Sequence, residues 1–195
     1  DLALLLEGEG RLDEALPIFE HVAAVKTRIF GDHHPETLDS ANGLANVLYV
    51  LGPYAEAEAI FVRTLAGLRT SLGDGHPKTI ICANSLARVY MRQERYAEAE
   101  PLCAEALARM RARFGELDQR TATTMSSLAQ IYERQERYDD AEPLFRRVVE
   151  IGDALFGEDE ASSLIARNNL AQLYRLKGRL DLAEPILQRV VATAR

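Results

Sequence analysis

One stretch of the chain is written almost twice: Arg92 to Leu102 reads RQERYAEAEPL, and Arg134 to Leu144, 42 residues later, reads RQERYDDAEPL. The same offset places Gly31, Gly73, Gly115 and Gly157 in one column with no gap. Self-similarity at a fixed period of this size means a stack of supersecondary units, each burying its apolar face against the next, and it outranks any local motif. The units run 31–72, 73–114, 115–156 and a shortened 157–195, preceded by a partial 1–30 that opens with Asp1 on the thirteenth column. Together they predict a single elongated array over 1–195, with a continuous apolar seam in place of a central core.

The columns define the unit. Leu44-Ala45, Leu86-Ala87, Leu128-Ala129 and Leu170-Ala171 align, followed three residues on by Leu48, Tyr90, Tyr132 and Tyr174. Then come Ala15, Ala57, Ala99, Ala141 and Ala183, each four residues before Phe19, Phe61, Cys103, Phe145 and Leu187. A small residue at a fixed helical offset from a large one lets two helices interlock closely. These residues resemble the tetratricopeptide repeat pattern, L-G/A-x-x-Y followed by A-x-x-x-F. The usual period is about 34 residues, so each unit carries about eight more, close to two helical turns. The late proline of the pattern is replaced by Thr27, Arg69, Arg111, Asp153 and Arg195, which lets the second helix run on. Long units opened by G-D-x-H-P, here Gly31 to Pro35 and Gly73 to Pro77, are most similar to kinesin light chain repeats and their bacterial relatives. The resemblance implies an all-α fold, a right-handed superhelical solenoid of antiparallel helix pairs.

Helix punctuation places the elements. His34-Pro35 reads as a helix start, with proline in the first turn and Asp32 or His34 as cap. The first helices are expected near 35–51, 77–93, from Thr121, and 162–177; the second begin near Pro53-Tyr54 and Tyr96 and close near Gly73 and Phe114. Gly10, Gly52 and Gly178 share a tight-turn column in which Glu94 and Glu136 stand elsewhere, so a Glu there is strained or the turn closes differently. Pro17, Pro101, Pro143 and Pro185 fall about five residues into second helices, where proline removes a hydrogen bond; a shifted start or a slight bend is expected. Gly67 lowers local helix stability by up to about 1 kcal/mol.

A net charge of −7 and a pI near 5.2 argue against nucleic acid, whose binding rests on Lys and Arg neutralising phosphates. Cys103 sits where other units place Phe or Leu and reads as a small buried hydrophobe; two cysteines make no disulfide framework, and a reducing, cytoplasmic setting follows. No apolar run spans a bilayer, Leu4 to Leu6 being the tail of a repeat helix. The chain begins inside a helix without Met and reads as a piece of a longer protein.

Chemistry is sparse. Glu56, Glu58, Glu98, Glu100, Asp140, Glu142 and Glu184 crowd the first turns of second helices, as the helix dipole favours, and read as a solvated face. His33, His34 and His76 lie in corresponding loops without metal-ligand spacing. No phosphate-binding glycine loop or nucleophile elbow is present, so no catalytic residue, metal or cofactor is assigned.

The resemblance puts the first helix of each pair on a concave wall. Helical spacing away from the Leu-Ala-Tyr core selects Asn42, Asn46 and Tyr49, then Asn84, Arg88 and Met91, then Ser126 and Gln130, then Asn168, Gln172 and Arg175. The columns Asn42, Asn84, Ser126, Asn168 and Asn46, Arg88, Gln130, Gln172 form a ladder whose carboxamides match the N–H and C=O of an extended peptide; equally, they serve to solvate the wall or cap backbone. Arg88, Arg92, Arg134 and Arg175 outnumber Asp39 and Glu133, which favours an acidic partner. Tyr49 and Met91 add an apolar anchor. The sequence therefore reads as a non-catalytic protein-interaction scaffold for an extended acidic segment, with no nucleic acid or membrane partner. Two alternatives stay open: a sensor domain of a signalling ATPase or other enzyme, and an assembly element joined through the apolar faces at Leu2 to Leu6 and Ile186 to Val191.

Overall fold

A computed structural model describes residues 2–193. Asp1 and the expected helix end at Arg195 lie outside the described residues, as does the side chain of Leu4. The described residues form ten α-helices and no strand: α1 (Leu2–Gly8), α2 (Leu12–Phe30), α3 (Pro35–Leu51), α4 (Tyr54–Leu72), α5 (Pro77–Arg92), α6 (Tyr96–Phe114), α7 (Gln119–Arg134), α8 (Tyr138–Phe156), α9 (Ala161–Leu176) and α10 (Leu180–Thr193). First helices start at 35, 77, 119 and 161 and second helices at 12, 54, 96, 138 and 180, so both hold the 42-residue register. The chain divides into two compact units, residues up to Leu102 and those from Cys103. Within the first, α1 packs on α2, α2 on α3, α3 on α4 and α4 on α5; within the second, α7 packs on α8, α8 on α9 and α9 on α10.

The caps explain the starts. His34 Nδ1 accepts the Glu36 N–H and His76 Nδ1 the Lys78 N–H, both at 3.2 Å, with Pro35 and Pro77 in the first turn. Where the His-Pro pair is lost, Asp118 accepts the Arg120 N–H at 2.9 Å, and α7 begins two residues before Thr121.

The interlocking pairs sit where helical spacing placed them. Ala15, Ala57, Ala99, Ala141 and Ala183 are buried, and Phe61, Cys103 and Phe145 are wholly so. Burying one such Phe stabilises by about 1.5–3 kcal/mol. A second column is polar: Thr37, Thr79, Thr121 and Ser163, again 42 residues apart, are all buried. The Thr37 hydroxyl donates to the Lys26 carbonyl at the end of α2, tying one pair to the next.

Two expectations resolve into specific geometry. The prolines do not shift the helix start, because α4, with Ala59 in that column, begins in the same register as the helices that carry Pro17, Pro101, Pro143 and Pro185. All four are exposed, so the carbonyl each leaves unbonded lies on a face open to water. At the turns, Glu94 and Glu136 take φ of 62° and 60°, matching Gly10 at 75° and Gly178 at 72°. The closure is the same: Arg11, Arg95, Arg137 and Arg179 N–H groups reach back five residues to Leu6, Tyr90, Tyr132 and Tyr174 carbonyls at 2.8–2.9 Å. Pro53 fills that donor column in the remaining turn and has no N–H, so Gly52 closes it alone, at φ 107°.

Candidate peptide-binding groove

In the first unit, α3 and α5, the helices expected to form the wall, touch. Asn46 is already engaged at both ends: its Nδ2 donates to the Asn42 carbonyl at 3.0 Å, and its Oδ1 accepts Ser85 Oγ at 3.4 Å. Asn84 is buried, with 8% exposure. Both serve the packing of neighbouring helices more than a free peptide ladder. Asn42 is half-buried, and its Oδ1 is enclosed without a hydrogen-bond partner. An enclosed acceptor left unpaired costs about 1–3 kcal/mol.

Beyond these amides the wall turns aromatic and cationic. Arg88 lies over the Tyr49 ring, 4.7 Å from its centroid, with Nη2 donating to the phenol oxygen at 3.4 Å. Tyr49 meets Tyr54, at the start of α4, with centroids 5.9 Å apart. Arg92 lies 5.8 Å from the Tyr54 centroid. Met91 is half-buried between the two arginines in sequence. Asp39, the acidic residue placed on this wall, is held by Lys78 at 3.0 Å. Helical spacing on α5 could not find Tyr54, which belongs to a different helix. Its one sequence signal was the recurring Tyr54, Tyr96, Tyr138 column.

In the second unit, Ser126 and Gln130 are half-buried on α7, while Asn168, Gln172 and Arg175 are exposed on α9. Arg175 Nη1 donates to Gln172 Oε1 at 3.3 Å. Burial pushes the Glu133 carboxyl above its ordinary range, and Arg134 partly offsets it.

The pattern described as Tetratricopeptide repeat matches residues 1–49, 39–112, 81–154 and 120–195. The chain belongs to the tetratricopeptide repeat family. Solved structures share its fold. The nearly identical TPR-like repeats of a Podosopora anserina protein assigned to the kinesin light chains are 25% identical over 98% of this chain and 91% of that one, at a TM-score of 0.81. BtubC (BKLC) from P. vanneervenii is 21% identical over 99% of this chain and 77% of its own, at 0.82. A Rap protein complexed with Competence and Sporulation Factor is 14% identical, and this chain spans 51% of it, at 0.84. No curated protein matches the chain in sequence.

Two of the acidic residues read as solvated dipole partners do more in this tetratricopeptide array. Glu58 on α4 accepts Arg95 Nη1 at 2.7 and 2.8 Å and Gln93 Nε2 at 2.9 Å, from the turn after α5. Burial raises its carboxyl, but these bonds outweigh that and hold it below the ordinary range. Glu142 on α8 accepts Lys177 Nζ at 2.6 Å from the corresponding place after α9, and the Tyr174 hydroxyl at 3.4 Å from the last turn of α9 itself. Glu58 and Glu142 share a repeat column, as do Gln93 and Lys177, a signal present in the sequence but masked by the general expectation of acids at helix starts. Among the described residues, no three His, Cys, Asp or Glu side chains come together as metal ligands, and no helix is long and apolar enough to cross a membrane.

Proposed function

We propose that this tetratricopeptide array is a non-catalytic scaffold that holds an extended, acidic protein segment against the wall formed by α3 and α5. The observation that carries the reading is Arg88, a cation seated on the Tyr49 ring, with the half-buried Asn42 carboxamide on the same helix as Tyr49. A guanidinium pairs a carboxylate of the segment, and the carboxamide borders its backbone. The exposed Asn168, Gln172 and Arg175 offer the same chemistry on α9. The family resemblance and the Rap complex support protein recognition by this fold. Two free, buried cysteines suit a cytoplasmic setting.

Arg88→Glu exchanges attraction for repulsion without touching the buried core. A peptide-array screen followed by titration of its hits should show affinity falling by about ten- to a hundredfold, the worth of one charge-assisted contact. Asn42→Ala should weaken the same hits, while Arg63→Glu, exposed on α4 away from the wall, should not. Equal loss in Arg63→Glu would assign binding to net charge. Absence of any bound peptide would remove the reading.

A second reading, self-association, is favoured by one column. Val47, Val89, Ile131 and Leu173 are wholly buried, whereas Leu5, in register with them on α1, is 57% exposed.

A further inference from the structure

Arg88 and Arg92 stand one helical turn apart on α5, each against a tyrosine, and among the described residues neither forms an ion pair. Like charges at this spacing repel, and the chain as a whole has acids to spare, with 30 Asp and Glu against 23 Lys and Arg. Arg95, three residues on, shows the alternative, locked to both Glu58 and Glu98. The two wall arginines are instead held by ring faces. Arg88 spends an Nη2 hydrogen on the Tyr49 phenol and has its other N–H groups left for a carboxylate, while Arg92, near the outer limit of cation–π range from Tyr54, keeps its whole fork for a two-point bond. Tyr49 and Tyr54 touch each other, so the two seats form one continuous surface.

Residues four apart on a helix are separated by about 6 Å along its axis. In an extended chain, alternate side chains leave the same face about 6.6–6.8 Å apart, whereas adjacent ones leave opposite faces. From this match we infer that Arg88 and Arg92, seated on Tyr49 and Tyr54, form a specificity clip that reads two acidic residues separated by one, in a segment running extended along α5. The inference rests on the peptide-binding reading above and adds to it a spacing rule: acidic-x-acidic over adjacent acids or wider separation. Tyr49 and Tyr54 are positioning residues, acting through the orientation they impose on the guanidiniums.

The test uses fluorescent decamer pools of equal composition and charge, with two Asp separated by none, one or two randomised residues, titrated against the whole chain at fixed salt. The one-residue pool should bind about tenfold more tightly than the others, since only it makes both bonds at once. Arg92→Gln should level the three pools, bringing the one-residue pool down to the affinity of the other two. Arg92→Lys, which keeps charge but not the planar fork, should blunt the preference, as should Tyr54→Leu; unchanged far-UV circular dichroism certifies each fold. Equal binding of all pools to the wild-type chain overturns the clip and leaves the scaffold reading standing. A spacing preference that survives Arg92→Gln also overturns it. Failure of every pool to bind the wild-type chain removes both.

Discussion

Gly67 shows how a single residue's role can reverse between sequence and structure. By helix propensity it is a weak point in α4, and Ala in its place would gain about 1 kcal/mol. In the structure a Cβ there would stand 2.7 Å from Leu38 Cδ2, and Leu38 is itself buried at 4% exposure. Overpacking of this kind costs about 1–3 kcal/mol. Gly67→Ala is therefore expected to lower stability, read as a fall in the urea midpoint at unchanged slope; a rise would mean that Leu38 yields freely. The same contrast governs the groove. Periodicity picked Asn84 and Asn46 for the wall, but depth depends on how far a neighbouring helix overlaps them, which spacing within one helix does not encode. Asn84 is buried and Asn46 committed to Ser85, whereas Arg88 spends only Nη2, on the Tyr49 phenol, and forms no ion pair among the described residues.

At the scale of elements, nearly every helix was legible. The starts depend on local signals, His-Pro or Asp caps and recurring column residues, and local signals survive intact in the sequence. The turns were legible only as a choice. Glu94 and Glu136 occupy a left-handed position that costs a non-glycine residue about 1–2 kcal/mol, yet the turn keeps its form because Arg95 and Arg137 supply the closing N–H. Relief of that cost, less the added freedom of glycine in the unfolded chain, should make Glu94→Gly more stable by up to about 1 kcal/mol, and Glu136→Gly likewise. Thermal unfolding checks both. A loss of stability would show that the Glu side chains contribute more than their backbone strain costs. The inter-pair latches at Glu58 and Glu142 were not read in advance, since their partners lie 35 to 37 residues and 32 to 35 residues away.

For the whole molecule, a repeat array is stabilised by each pair and by its interface with the next, so a face without a neighbour is where association begins. Leu2 and Leu5 on α1 are 62% and 57% exposed. On α10, Leu180, Ala183, Leu187 and Val191 line an open pocket of about 660 Å³. Leu187 is half-buried there, although Phe61 and Phe145 in its column are wholly enclosed. If these faces meet between copies, sedimentation should show weight-average mass rising with concentration, and Leu5→Glu with Leu187→Glu should abolish the rise. A constant monomer mass across the accessible range would end the assembly reading. The 42-residue period made the units legible, but it is silent on partners.

Each compact unit also contains its own chemical clock. Cys82 is sealed in the first, its thiol directed at the Phe61 carbonyl and pushed by burial up to about 12; Cys103 is sealed in the second, directed at the Thr124 carbonyl. A thiol with no solvent contact reacts with an alkylating reagent only during the moments when its surroundings open. The pace of alkylation at the two sites therefore times the breathing of each half of the array separately, in the unaltered protein, and a segment bound along α5 would be heard first as a slowing at Cys82.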